Sequence, residues 1–193
     1  MKACSSALKA RVSFNCPASW TRRGGRHPGA RRRAARLRAR AAGRGPACRR
    51  RLAPPVARLA TSLHLLDGFL KLSGIFEQTT LEPVAREVVV MTVAVRNECH
   101  VCVAMHTGKL RELGADEGLV TALHERRPLA DPKLDAVRRF TLAVLAKAGG
   151  VEDEAVKDFL SYGYTEQNAL EVVLGIGTYT LSTFANRLTG AGL

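Results

Sequence analysis

The first 52 residues hold sixteen lysines and arginines and no acidic residue, whereas residues 53–193 hold fourteen basic and seventeen acidic ones. Arg, Ala, Gly and Pro fill 33 of those first 52 positions, so the stretch has dense like charge and almost nothing apolar to bury. Such a segment does not collapse. A packed structure is therefore expected only from about Pro54. The chain reads as a disordered arginine-rich leader over 1–53, followed by a folded domain over 54–193. The net charge of +13 belongs to the leader, since the domain carries −3, and a nucleic-acid function for the folded part is excluded. No apolar run approaches the roughly 18 residues of a membrane span, so no membrane partner is expected either.

The leader itself admits several readings. It suits a basic tail for nucleic acid or an anionic surface, or an Arg-rich organelle transit peptide. It also suits translated upstream sequence or a solvated tail without a role, although the next methionine is Met91. It has no apolar stretch of the secretory kind, which argues against export.

From Pro54 onward helical periodicity is strong and strand signals are scarce. Val56 to Phe76 forms an apolar-periodic stretch. Thr80 is expected to cap a helix with Pro83 in its first turn, running to Arg96. Asn97-Glu98 reads as a tight turn, followed by a helix over Cys99–Leu113 that Gly114 stops. A short helix over Asp116–Arg126 comes next. Asp131-Pro132 starts another that ends at Gly149-Gly150, and Glu152–Ser161 follows. Thr165 caps a last helix over Glu166–Leu188, in which Gly175 and Gly177 either kink the helix or admit a close neighbour. The fold expected is all-α, a bundle of six or seven helices with short loops.

The chemistry is concentrated between residues 87 and 108. Cys99, Cys102 and His106 are spaced i, i+3, i+7 and so share one helix face. Cysteines three apart on a helix have Cα atoms roughly 5–6 Å apart, within reach of a disulfide. Were residues 87–106 one helix, Glu87 would lie about 18 Å from Cys99. A reversal near Asn97 instead makes an antiparallel hairpin and brings Glu87 opposite His106. A carboxylate that orients an imidazole serving a thiol is the arrangement of covalent catalysis. Two plainer readings stand beside it. The same residues could supply ligands to zinc, although three on one helical stripe make a poor tetrahedron, or the cysteines could merely pack. His64, His124, Tyr162, Tyr164 and Tyr179 read as surface or packing residues.

Glu87, eleven residues, Cys99-x-x-Cys102-x-x-x-His106 and then Thr107-Gly108-Lys109 and Gly114 resemble the core of the AhpD-like alkylhydroperoxidases. These belong to the carboxymuconolactone decarboxylase superfamily. The resemblance spans roughly residues 63–190 and includes Arg86-Glu87 and the C-terminal Thr178-Tyr179 and Asn186-Arg187-Leu188. It implies an all-helical fold assembled as a homotrimer or homohexamer, and thiol-dependent reduction of hydroperoxides without a cofactor. It also implies that Cys102 attacks, that Cys99 is its disulfide partner, and that His106 and Glu87 relay the proton. Many members carry an aromatic residue before the second cysteine, where this chain has Val101. The best-known members have a histidine there, and the nearest here is His100, one position earlier. Members that decarboxylate generally lack the cysteine pair.

Two functional classes follow. One is a peroxidase in which a thiolate becomes a sulfenic acid, a disulfide forms, and a dithiol or protein reductant restores the pair. The other is a redox-sensing or metal-binding protein that uses the same residues without turnover. Glu87 favours the first, since neither a metal site nor a passive sensor needs a carboxylate behind His106. The weight of a positioned base over a helix dipole favours Cys102 over Cys99 as nucleophile. The remaining cysteines, Cys4, Cys16 and Cys48, all fall in the leader, so no disulfide framework staples the domain and a cytoplasmic location is expected.

Overall fold

Residues 58–191 are described by the computed structural model; among them the chain forms seven helices and no strand. These are α1 (Leu63–Phe76), α2 (Pro83–Arg96), α3 (His100–Glu112), α4 (Glu117–His124), α5 (Pro132–Ala146), α6 (Asp153–Ser161) and α7 (Glu166–Leu188). The expected all-α bundle is what the chain forms. The leader, its three cysteines, His27 and the start proposed at Val56 lie outside the described residues.

Helix α2 is the axis of the bundle. Ala85 and every residue from Glu87 to Val95 are buried, which is how a helix apolar nearly all round behaves. It packs against α3, α4, α5 and α7 at once. Helix α7 lies along α1, α2, α5 and α6. Its Gly175 faces the Phe76 ring so closely that a Cβ there would stand 2.7 Å from two ring carbons. Of the two roles expected of the α7 glycines, Gly175 therefore serves close approach, while Gly177 has open space around it. A stack of Phe140, Phe159 and Tyr164 joins α5 to the α6–α7 corner, with centroids 4.4 and 4.5 Å apart.

The helix starts follow local chemistry. The Asp131 carboxylate accepts from the Lys133 and Leu134 N–H groups ahead of Pro132, and Thr165 forms a reciprocal capping box with Asn168. Gly114 ends α3 with φ +77, a left-handed turn that favours glycine. Thr80 differs from expectation. The N-cap of α2 is Glu82, which makes no side-chain cap. Thr80 instead gives its N–H and hydroxyl to the Glu171 carboxylate on α7. Pro83 at the first position has no N–H to satisfy, so the threonine is free to tie the loop to α7.

Candidate active site

The reversal between α2 and α3 takes three residues, Asn97 to Cys99. Asn97 closes α2, and Glu98 adopts φ +52, an uncommon left-handed conformation for a residue with a side chain. The turn is held from outside. Asn97 Nδ2 donates to Thr183 Oγ1 at 3.0 Å, and Arg187 on α7 donates to the Asn97 carbonyl and reaches Glu98 Oε2 at 3.2 Å. Cys99 follows as the N-cap of α3, and Cys102 sits in its first turn. Both are nearly inaccessible, at 2% and 5% exposure. Their Sγ atoms lie 3.1 Å apart, close enough for one thiol proton to be shared between the sulfurs.

Across the hairpin, Glu87 Oε2 is 2.7 Å from His106 Nδ1. The antiparallel pairing expected from spacing thus brings the two together. A carboxylate only accepts, so Nδ1–H donates to it, and the neutral ring leaves its Nε2 lone pair as the base. Glu87 is 2% exposed, and Lys109 Nζ stands 3.4 Å from its other oxygen while also pairing with Glu77. Burial alone would lower the Lys109 ammonium; the Glu77 and Glu87 carboxylates outweigh it and raise it. A buried carboxylate is thereby held between a cation and an imidazole. Tyr179 closes the far side, its ring edge-on to His106 with centroids 5.2 Å apart. Burial pushes its hydroxyl up.

The thiols are strongly unequal. A hydrogen bond from Cys102 holds Cys99 down to about 6, against the opposing effect of burial. Cys102, whose proton serves that bond and whose surroundings are desolvated, is pushed well up. Asn186 and Ser182 pull it the other way by hydrogen bonding, and Asn186 Nδ2 lies 3.4 Å from its sulfur. The resting charge thus favours Cys99, the sulfur at the helix N-terminus, where orphan N–H groups add to the effect. The proton count belongs to the pair, because the two sulfurs titrate as one unit.

Three contributors carried no role in the sequence reading. Lys109 lies three residues past His106, on the same helix face, and that spacing was available as a signal. Asn186 and Tyr179 belong to a run on α7 in which Tyr179, Ser182, Thr183 and Asn186 are all buried. Polar residues at i, i+3, i+4, i+7 where an apolar stripe is expected mark a helix that faces something polar. His124, read as an ordinary helical residue, pairs its Nε2 with Thr107 Oγ1 at 2.7 Å, beside the site and outside the thiol cluster. Among the described residues no group of three or more His, Cys, Asp or Glu is disposed to hold a metal ion, and no helix is long and apolar enough to cross a membrane.

Residues 65–143 match the profile of the Carboxymuconolactone decarboxylase family, a span that takes in Glu87, both cysteines and His106. No curated protein matches the sequence. Among solved structures, the chain is similar to a protein of unknown function from Agrobacterium tumefaciens whose description links it to antioxidant defence as an AhpD. That similarity has a TM-score of 0.59 at 18% identity, and covers 69% of this chain and 91% of the other. At that identity the likeness speaks for the fold.

Proposed function

We propose that this chain, which residues 65–143 make a member of the carboxymuconolactone decarboxylase superfamily, is a thiol-dependent peroxidase that reduces hydroperoxides with its own cysteine pair. The observation that carries the reading is the conjunction at the hairpin: two sulfurs 3.1 Å apart, and a Glu87–His106 pair at 2.7 Å on the same two helices.

The chemistry proceeds in two steps. One proton of the dithiol passes to the neutral His106 at Nε2, forming the imidazolium, and the other bridges the sulfurs. When that proton sits on Cys99, the charge lies on Cys102, where the Asn186 amide donates to it and His106 is one helical turn away. The Cys102 thiolate attacks the terminal oxygen of the hydroperoxide. The O–O bond breaks, the sulfur is oxidised to a sulfenic acid, and the departing alkoxide takes a proton from the His106 imidazolium and leaves as the alcohol. The Cys99 sulfur then attacks the sulfenic sulfur, forming the disulfide and releasing water. An external dithiol, small or carried by a protein, reduces the disulfide by exchange. Glu87 orients His106 and stabilises its charged form, a task with no purpose in a site that only packs or senses.

Assembly as a homotrimer or a multiple of it accompanies this reading, supported by large apolar side chains left exposed on α1 and α7, such as Leu70, Ile75, Leu170 and Phe184. Peroxide consumption driven by dithiothreitol is the direct test. The wild-type protein is expected to consume a stoichiometric excess of hydroperoxide. Undiminished consumption after both Cys99→Ser and Cys102→Ser would overturn the proposal.

A further inference from the structure

Asn186 stands in the last turns of α7, which supplies neither cysteine nor the His106–Glu87 pair. Its side chain is 95% buried by virtue of its 5% exposure, so each of its polar atoms needs a partner. Only one end has one. Nδ2 lies 3.4 Å from Cys102 Sγ, while Oδ1 has no hydrogen-bond partner among the described residues. An unsatisfied buried acceptor is costly, and a folded chain keeps one where another molecule completes it. Packing alone does not account for it. A leucine would fill the same volume without the penalty, and the neighbouring turn already has its own tether through Thr183 and Arg187.

We propose that Asn186 is a catalytic residue of the dithiol site, its N–H donating to the Cys102 sulfur and its Oδ1 accepting the O–H of the incoming hydroperoxide. The inference rests on the peroxidase reading above. The two ends of one amide suit the two reacting atoms. A sulfur that carries charge takes the donor end, which leaves the acceptor end beside it. A hydroperoxide, R–O–O–H, has a single donor, and that hydrogen is on the very oxygen that the sulfur attacks. A hydrogen bond from it to Oδ1 sets the terminal oxygen against Cys102. The same hydrogen stays on the same oxygen when the O–O bond breaks, so the bond persists into the sulfenic acid, S–O–H. Nothing is transferred to or from the amide; the proton lost by the dithiol goes to the alkoxide as described. Peroxides without an O–H gain nothing from Oδ1. The selectivity assigned to this residue is therefore for hydroperoxides as a class.

The test compares two reactions of the reduced full-length chain at a pH where its first thiolate is fully formed. One is single-turnover oxidation by hydrogen peroxide. The other is alkylation by iodoacetamide, which requires the thiolate but brings no O–H. Asn186→Leu is expected to slow oxidation ~10-fold or more relative to alkylation, the size of one hydrogen bond to a group gaining charge. Its thiolate absorbance at 240 nm is expected to titrate at higher pH than in wild type, because the donor is gone. Asn186→Ala, which admits water in place of the amide, is expected to fall between the two and serves as the reading if the leucine variant does not fold. A wild type that oxidises while both variants keep its ratio of oxidation to alkylation would overturn the role of Asn186 and leave the peroxidase reading standing. A wild type that alkylates but is inert to hydrogen peroxide would overturn both.

Discussion

Replacing Glu87 by glutamine changes one charge and almost no volume at the best-defined contact of the site. The carboxylate accepts from His106 Nδ1 at 2.7 Å and faces Lys109 at 3.4 Å, with only 3% of its side chain exposed. A hydrogen bond to a charged group contributes about 1.5–3 kcal/mol and one between neutral groups about 0.5–1.5 kcal/mol. The glutamine carbonyl can still accept from Nδ1–H, so the loss is the difference, about 1–1.5 kcal/mol, or about fivefold to tenfold in rate. The Lys109 cation adds to it, since the new N–H2 group offers it nothing. The loss falls where the imidazolium forms, so it belongs to the transition state and should appear in the single-turnover rate constant for peroxide. Stopped-flow oxidation of the pre-reduced protein, with a far-UV melting curve as control, measures it. The rate should fall by that factor while the melting curve stays that of a folded protein. An unchanged rate in a folded variant would refute the relay. A loss beyond about a thousandfold would also refute the reasoning, since it would assign Glu87 the work of a reacting group, at the scale of a general base.

Four further outcomes follow from the structure. Cys99→Ser should form one sulfenic acid, trappable by dimedone, without cycling, and Cys102→Ser should form none; the reverse pattern would assign attack to Cys99. The reduced protein should show one thiolate equivalent by absorbance at 240 nm with a midpoint at about 6, from the hydrogen bond that lowers Cys99, and a second only at far higher pH. The linked stability has a definite sign: the lowered Cys99 contributes above the ordinary thiol range and its contribution is lost as pH falls through about 6, whereas the raised Cys102 costs stability as pH climbs past the ordinary range. Urea melts at pH 5 and pH 8 check the first part, and equal stability at both would contradict it. Gly175→Ala should destabilise the fold by about 1–3 kcal/mol through overpacking, because its Cβ meets Phe76 at 2.7 Å and Val89 at 3.0 Å; a melting temperature equal to wild type would contradict that.

How much of this was legible in the sequence depends on whether the signal is local. Asp131-Pro132 and Thr165 start helices because the atoms that cap them lie within three residues, and both starts stand where the sequence puts them. Thr80 failed as a cap because its partner, Glu171, is 91 residues away and no local rule can see it. The Glu87–His106 contact is non-local too, yet it was reachable. Once Asn97-Glu98 is read as a reversal, helical geometry fixes what lies opposite what. Asn186 and Tyr179 come from a third helix whose register against the hairpin is set by packing, including the close approach of Gly175 to Phe76. No spacing rule within α2 and α3 constrains that register.

The choice of nucleophile is non-local as well. The N-terminus of α3 acts on Cys99 and His106 lies one turn from Cys102, but the two thiols are not separate acids. The contact at 3.1 Å makes the thiols one acid, and the largest influence on Cys99 is Cys102 itself. Resting charge at Cys99 and attack from Cys102 are then compatible, because a single proton moving across that contact exchanges the roles of the two sulfurs. What must favour Cys102 at the moment of reaction is a group that touches it and not Cys99's helix end. Asn186 Nδ2 lies 3.4 Å from Cys102 Sγ but lowers both thiols, whereas Ser182, also on α7, lowers Cys102 by hydrogen bonding and is not among the influences on Cys99. On the proposed mechanism the tasks are separated: α3 makes the thiolate available, and the hydrogen bonds that α7 brings to Cys102 favour that sulfur when it attacks.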